Sequence, residues 1–184
     1  AVTIGPKVTS VQPFSFYGCA GLSKVTINGD INSIGRSAFN SCSILENITV
    51  PETVTTIGNS AFAYCKKLKE ITIPASVISI GNFAFNGCTG LETLNLEDGD
   101  EDLLLGYNCY DDNKYSTSQK GLFRDCGIEV LYLGRNLKYE YNDKSSDTLF
   151  YAYGYSAFAN ISSTELAVTI GPKVTSVQPF SFYG

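Results

Sequence analysis

A short motif of Thr between two β-branched apolar residues recurs every 23 residues, at 25–27, 48–50 and 71–73. Each copy is followed by an Ile-Gly pair, an Ala-Phe pair, a Cys and a Leu. The units that begin at Ile48 and Ile71 are identical at 11 of 23 positions. A repeat of this length is typical of a solenoid, because one coil cannot bury its apolar side without a neighbouring coil. Solenoids act through extended surfaces, so the pattern favours a binding or structural role.

A second repeat spans a longer distance. Residues 1–18 and 167–184 are identical, which is an offset of 166 residues. The strand positions of the coils account for this offset by four steps of 23 residues and two steps of 37: Ile4, Ile27, Val50, Ile73, Leu96, Leu133 and Ile170. We therefore predict one continuous solenoid over 1–184, in which 1–166 is a six-coil module and 167–184 begins the next copy. Both ends cut through a coil, so we expect a longer parent chain. The alternative is that this short coil alone was copied, by design or by local duplication.

Composition excludes several functional classes. The formal charge is −5, the pI is about 4.7 and no Lys/Arg cluster occurs, which argues against nucleic acid or an anionic membrane as a partner. No apolar run approaches the roughly 18 residues that span a bilayer, so no membrane insertion is expected in this segment. The chain has no His, the usual general base and the commonest metal ligand. With no nucleophile motif and no paired acid and base, we expect neither catalysis nor a cofactor.

A single coil can be interpreted residue by residue. Ile48 and Val50 alternate with Thr49, which is strand periodicity with Thr49 pointing outward. Pro51 ends the strand because it removes a ladder donor. Apolar residues spaced by three over 61–68 predict a short helical or 3₁₀ segment.

Two ladders of identical side chains are expected inside the stacked coils. Phe recurs at one equivalent position: Phe16, Phe39, Phe62, Phe85, Phe123, Phe158 and Phe182. Four cysteines keep the 23-residue period: Cys19, Cys42, Cys65 and Cys88. Coils stack about 4.8 Å apart with parallel side chains, whereas a disulfide needs Cβ atoms about 3.8 Å apart that point toward each other. We therefore predict small, buried, free thiols and no zinc site. Cys126 continues the ladder one residue out of step, and Cys109 is the thiol expected to be exposed.

The order L-x-x-I-x-I-P-x-x-V-x-x-I-G-x-x-A-F-x-x-C-x-x-L resembles the leucine-rich repeats of the BspA-like, or Treponema pallidum-type, family. The match covers the chain and is most specific between Val25 and Leu91. The resemblance implies a leucine-rich-repeat solenoid: a curved right-handed coil with a parallel β-sheet on one face and short helical, 3₁₀ or irregular segments on the other. It also implies a cell-surface or secreted protein associated with adhesion to host matrix proteins or to other cells. The family has no catalytic motif to transfer.

Candidate binding residues fall into two groups. The first is the outward row of the strands: Thr26, Thr49, Thr72 and Asn95, continued by Tyr132. A Thr row also stabilises a sheet without binding anything, and this alternative is open. The second group lies in the two 37-residue coils, whose 14 extra residues each are placed within 97–121 and 135–155. Nine of the twelve Tyr lie between residues 107 and 155: Tyr107, Tyr110, Tyr115, Tyr132, Tyr139, Tyr141, Tyr151, Tyr153 and Tyr155. Tyr is enriched in recognition surfaces, although such rings also pack loops onto a core.

The acidic segment, residues 97–102, invites a calcium-site hypothesis. An EF-hand loop needs Gly at its sixth position and Glu at its twelfth, and this segment supplies neither. A solvated acidic loop is favoured, with calcium as the weaker option.

Two functional hypotheses follow. The first is a recognition or adhesion module that binds a host or cell-surface protein or a glycan. The second is a stalk or filament in which neighbouring copies of the module contact each other, since a repeated contact that does not close gives a filament.

Overall fold

The computed structural model describes residues 1–107, 122–139, 157–158, 161 and 165–177. This part is a stack of coils, which we number 1 to 7 by the strand positions Ile4, Ile27, Val50, Ile73, Leu96, Leu133 and Ile170. Its strands are β1 Val2–Ile4, β2 Val25–Ile27, β3 Ser33–Ile34, β4 Thr56–Ile57, β5 Glu70–Ile73, β6 Ser79–Gly81, β7 Thr93–Leu96, β8 Leu103–Tyr107, β9 Val130–Leu133, β10 Leu137–Tyr139 and β11 Ala167–Ile170. All strand pairs are parallel, and the described residues contain no helix.

The strands predicted from the repeat lie along one face of the coils, which we call the first sheet and which is interrupted at coil 3. Strand β1 pairs with β2, and a separate sheet has the order β11-β9-β7-β5. Between them, residues 48–50 keep the expected burial alternation but form no strand, and a single bridge joins Lys24 to Asn47. The cause is proline. In coil 2 the N–H of Asn28 donates to the carbonyl of Ile4 at 2.9 Å, whereas the equivalent residues of coils 3 and 4 are Pro51 and Pro74, which have no N–H to donate.

A second parallel sheet lies one turn further along each coil and was not predicted. Its order is β10-β8-β6-β4-β3. The register aligns Ile34 with Ile57, Ile57 with Ile80 and Ile80 with Leu105. All four side chains are buried, so each short strand places one apolar residue in the core.

The third side of each coil is a run of turns. Ser37 and Ser41 have positive φ angles of 51° and 63°, which a helix does not tolerate. Turn bonds such as Cys42 N–H to the Phe39 carbonyl (3.1 Å) alternate with bonds to the next coil, such as Phe39 N–H to the Ala61 carbonyl (2.7 Å). The predicted helical or 3₁₀ segment is therefore irregular, because half of its N–H groups point to the neighbouring coil.

The Phe side chains stack inside the solenoid. Ring centroids of successive coils are 5.2–5.4 Å apart, with interplanar angles of 5–11°. The described stack consists of Phe16, Phe39, Phe62, Phe85, Phe123 and Phe158. Phe182 lies outside the described residues.

The cysteines form a second ladder beside the rings. Cys42, Cys65, Cys88 and Cys126 are fully buried, and none of these four thiols forms a disulfide. Each thiol donates to a Phe carbonyl in the preceding coil at 3.0–3.2 Å. Cys126 follows Phe123 by three residues, as in the shorter coils. Its one-residue shift relative to the strands therefore arises in the segment between Cys126 and Leu133.

The prediction of a buried thiol is wrong for Cys19, which is exposed because coil 1 packs against a neighbour on one side in the structure. Cys109, the thiol expected to be exposed, lies outside the described residues.

The extra residues of the long coils can be placed by register. Leu96 and Leu105 are nine residues apart where Ile73 and Ile80 are seven apart, so a small part of the first insertion precedes β8. The rest falls between β8 and Phe123. In coil 6, β10 occupies 137–139 and continues the second sheet. Residues 137–139 therefore belong to the second sheet, and the second insertion occupies the later part of the predicted range 135–155.

Candidate functional site

The outer face of the first sheet presents one row of residues, which we call the outer row. Thr26, Thr49 and Thr72 are exposed, whereas Asn95 and Tyr132 are half-buried. Thr72 pairs with Asn95 in register, and Asn95 with Tyr132. The row is a polar strip with one aromatic ring, Tyr132, and beyond that ring it continues to the exposed Thr169 of coil 7.

The outer row is joined to the acidic segment at Tyr132. The Tyr132 hydroxyl donates to Asp98 Oδ1 at 2.9 Å, and this hydrogen bond, with a smaller effect of burial, raises the pKa of Tyr132. Lys173 of coil 7 pairs with Asp100, which raises the pKa of Lys173. Coils 6 and 7 thus hold the acidic segment against the solenoid, so two of its carboxylates are engaged by the chain itself.

Arg135 is an unexpected element of this region. Its side chain is fully buried, and its guanidinium donates to the carbonyls of Pro74, Ala75 and Val77 at 2.7–2.8 Å. Burial lowers the pKa of Arg135, which the nearby Glu97 carboxylate partly offsets. Arg135 is the first residue of the range 135–155 that was predicted to contain the second insertion. It is instead a core residue that ties the turn of coil 4 to coil 6.

The predicted tyrosines are not all loop residues. Tyr107 ends β8, where it pairs with Gly81, and Tyr139 ends β10, where it pairs with Leu105. Tyr132 lies on β9. The remaining members of the group fall outside the described residues: Tyr110, Tyr115, Tyr141, Tyr151, Tyr153 and Tyr155.

A groove on the turn side of coils 2 to 5 was missed by the sequence analysis. We call it the turn-side groove. Its volume is about 420 Å³ and it is lined by Asn40, Ser60, Ala63, Tyr64, Phe83, Asn86, Arg124 and Asp125. The available signal was the change from Ser41 to Tyr64 at one repeat position, which the sequence analysis did not use.

Neither a cluster of metal ligands nor a membrane-spanning helix occurs in the described part of the chain. There, no group of three Cys, Asp or Glu side chains is arranged to hold a metal ion. Nor do the described residues include a helix long and apolar enough to cross a membrane.

Comparison with known proteins decides the family. Residues 1–117 match the model of the BspA type leucine rich repeat region, in six copies. The chain belongs to the BspA-type leucine-rich repeat family. The resemblance predicted from the repeat pattern is thereby confirmed, and so is the solenoid with parallel strands. No curated protein matches this BspA-type chain.

Solved structures with the same repeat agree with this assignment. A leucine-rich repeat protein from Bacteroides ovatus ATCC 8483 is 34% identical with a TM-score of 0.59, over 74% of this chain and 32% of that protein. A leucine rich cell surface protein from Faecalibacterium prausnitzii A2-165 is 25% identical with a TM-score of 0.63, over 92% and 38%. The T. pallidum leucine-rich repeat protein shares the fold, with a TM-score of 0.64 and 21% identity over 96% and 71%.

This BspA-type chain spans about a third of the length of the first two proteins. The family and its cell-surface relative suggest a protein-binding recognition role.

Proposed function

We propose that the chain is a non-enzymatic recognition and adhesion module, at the cell surface or secreted, that binds a host or cell-surface protein or glycan. The contact surface is the outer row together with the Tyr-rich long coils. The observation that carries this proposal is the outer row itself, in which Thr26, Thr49 and Thr72 stay exposed while the alternate residues of the same coils are buried or, at Ile27, half-buried.

The composition of this surface suits recognition. Its Thr hydroxyls both donate and accept hydrogen bonds. Tyr132 adds a ring whose hydroxyl is held by Asp98, so that little rotamer entropy is lost on binding. Tyr is favoured in binding surfaces for the same reason, since it supplies a large contact area with two rotatable bonds.

Biolayer interferometry against immobilised matrix proteins and mucin tests the proposal. We expect Thr72→Asp and Tyr132→Ser to weaken binding by about tenfold each, as residues near the centre of an interface do. Thr89→Asp is the matched control, because Thr89 is exposed and lies in the turn between Cys88 and Leu91, outside the strands. Equal binding by all variants would remove the outer row from the site.

The Tyr-rich long coils need a separate test. Replacement of Tyr151, Tyr153 and Tyr155 together by Ser should weaken the same interaction. Tyr17→Ser is the control, since Tyr17 is exposed in coil 1, outside the long coils. Unchanged binding by the triple variant would restrict the contact surface to the outer row.

A second candidate function is a stalk or filament of tandem 166-residue modules. It is favoured by the two identical segments, which pack on opposite sides: β1 pairs with the following strand β2, whereas β11 pairs with the preceding strand β9. One sequence therefore accepts a coil on either side, as the first coil of an internal module must. Sequencing of the parent gene across this region tests the idea. Several further copies of the module would support a stalk, and a single copy would remove it.

A further inference from the structure

We propose that the turn-side groove binds a neutral oligosaccharide. The groove lies on the turns, away from the outer row, and rests on its own observations. Three of them matter: the small residues that form its floor, an exposed aromatic ring held in a left-handed backbone conformation, and a set of polar groups without net charge.

The floor of the groove is set by the repeat register. Backbone bonds from Ser41 to Ala63, from Tyr64 to Asn86 and from Gly87 to Arg124, each 2.8 Å long, place equivalent turns of successive coils side by side. The other residues of the row that contains Ala63 have larger side chains: Tyr17, Asn40, Asn86 and Arg124. A buried methyl group between two Asn residues leaves a depression in the centre of the row.

Tyr64 stands at a repeat position where the backbone is left-handed. Its φ is 60°, and the equivalent residues Gly18, Ser41 and Gly87 have φ of 70°, 63° and 71°. The repeat therefore sets this backbone conformation, which costs a non-glycine residue on the order of 1–3 kcal/mol.

Left-handed residues near the groove belong to turn positions that recur from coil to coil. Four of the seven non-glycine left-handed residues in the described part of the chain line it: Ser60, Tyr64, Phe83 and Asp125. The inter-coil hydrogen bonds fix the backbone at these positions, so the groove is formed before any ligand arrives.

The Tyr64 ring forms a wall of fixed orientation. A Cβ atom at position 87 would lie 2.6 Å from Cδ1 and 2.8 Å from Cε1 of Tyr64, so the ring packs directly on the Gly87 backbone. The side chain nevertheless remains 46% exposed. A rigid, half-exposed ring offers an apolar surface to the C–H groups of a sugar ring at little entropic cost.

The polar groups select for an uncharged ligand. Arg124 Nε and Asp125 Oδ2 are 3.6 Å apart, so the two charges in the groove oppose each other. The Asn40 and Asn86 amides supply donors and acceptors, which match hydroxyl groups that are both. A volume of about 420 Å³ falls within the roughly 300–1,000 Å³ of small-ligand sites. Because the charges of Arg124 and Asp125 offset each other, the groove has no net attraction for an anionic or a cationic ligand.

Saturation-transfer difference NMR on the 184-residue chain tests the proposal. The probes are mannotriose, N-acetyllactosamine, chitotriose and xylotriose at millimolar concentration, with sialyllactose and a fibronectin-derived peptide as charged and peptidic comparisons. We expect at least one neutral sugar to show saturation transfer that exceeds that of both comparisons. Transfer to none of the neutral sugars, or stronger transfer to the peptide, would overturn the proposal.

Variants locate the site. Tyr64→Ser copies the residue of the neighbouring coil, Ser41, and should weaken sugar affinity by about tenfold through loss of the ring contact. Tyr17→Ser is the control on the same side of the solenoid. Asn86→Ala is the second variant, used if Tyr64→Ser does not fold by circular dichroism. Retention of full affinity by the folded variant would place the sugar elsewhere.

The proposal for the groove and the proposal for the outer row can be tested independently. Thr72→Asp should leave sugar affinity unchanged, and Tyr64→Ser should leave binding to an immobilised protein unchanged. If Thr72→Asp abolished sugar binding, the sugar would belong to the outer row and the proposed groove site would be wrong.

Discussion

The guanidinium of Arg135 in coil 6 donates a 2.7 Å hydrogen bond to the carbonyl of Pro74 in coil 4, across the intervening coil. Gly99 of coil 5 makes room for this crossing, since a Cβ there would lie 3.1 Å from Arg135 Cδ. The lengthened turn of coil 5 therefore does not open the stack. The guanidinium of Arg135 ties coil 6 directly to the turn of coil 4 through three carbonyls.

Arg135→Met should lower the free energy of unfolding by about 2–5 kcal/mol. The substitution keeps an unbranched apolar stem but removes the guanidinium, which leaves three carbonyls without their charged donor in a buried region. Urea denaturation followed by circular dichroism measures the loss. Arg36→Met is the control, because Arg36 is exposed, and it should cost less than about 1 kcal/mol. Equal stability of the two variants would show that Arg135 does not hold the coils together.

Phe62→Ala should be among the most destabilising changes in the chain. Phe62 is fully buried between Phe39 and Phe85, with centroid distances of 5.4 and 5.3 Å. Its truncation leaves a cavity that the regular coils cannot close, at a cost of about 3–5 kcal/mol. Phe16→Ala should cost less, since Phe16 is half-buried and stacks on one ring. Thermal unfolding compares the two, and an equal loss for both would argue against the ring stack as the organising element of the core.

The repeat period predicted the core because buried positions are set by neighbouring coils, which share the same sequence. Ile57, Phe62 and Cys65 are buried for the same reason as their counterparts one coil away. The second sheet was missed because strands such as Ser33–Ile34 are two residues long, too short for an alternating pattern to appear.

The local conformation of the turns could not be predicted from the sequence pattern. A spacing of three apolar residues fits both a 3₁₀ segment and a run of turns, and the two differ in the sign of φ at Ser37 and Ser41. Serine does not signal a positive φ as glycine does. Arg135 was misplaced because a long polar side chain after a strand normally indicates a loop. Its role depends on carbonyls about sixty residues away.

Thiol reactivity should separate Cys19 from the rest of its ladder. Burial raises the pKa of the Cys42 thiol from 9.0 to about 11, and it raises the pKa of Cys65 and Cys88 as well. The thiolate is the reactive form. In a Cys109→Ser background, the folded chain should therefore react rapidly with Ellman's reagent at Cys19, and the buried thiols should react after denaturation. Rapid reaction of all the thiols in the folded chain would contradict the buried ladder.

The same thiols predict how stability depends on pH. Because the folded pKa of Cys42 is raised, folding favours the protonated thiol, and its full contribution is present below 9.0. The contribution is lost as the pH rises from 9.0 toward about 11, where the unfolded chain ionises first. Urea midpoints measured across this range should fall. Cys42→Ala should reduce the slope, and a slope unchanged by this substitution would assign the pH dependence to other groups.

Asn136 of coil 6 makes the contact that fixes the turn of coil 7. Its Oδ1 accepts hydrogen bonds from the N–H groups of Thr175 and Ser176 at 2.9 and 3.0 Å, and its Nδ2 donates to Thr175 Oγ1 at 2.9 Å. Asn136→Ala should therefore lower the hydrogen-exchange protection of these two amides by about tenfold, since each lost bond is worth roughly 1 kcal/mol.

Asn47→Ala, an exposed change on the outer face, is the matched control and should leave both amides protected. Unchanged exchange in Asn136→Ala would mean that backbone pairing alone holds coil 7. Thr175 and Ser176 repeat Thr9 and Ser10 within the identical segments. In a tandem array, Asn136 would therefore join each module to the next, and its loss should weaken every junction equally.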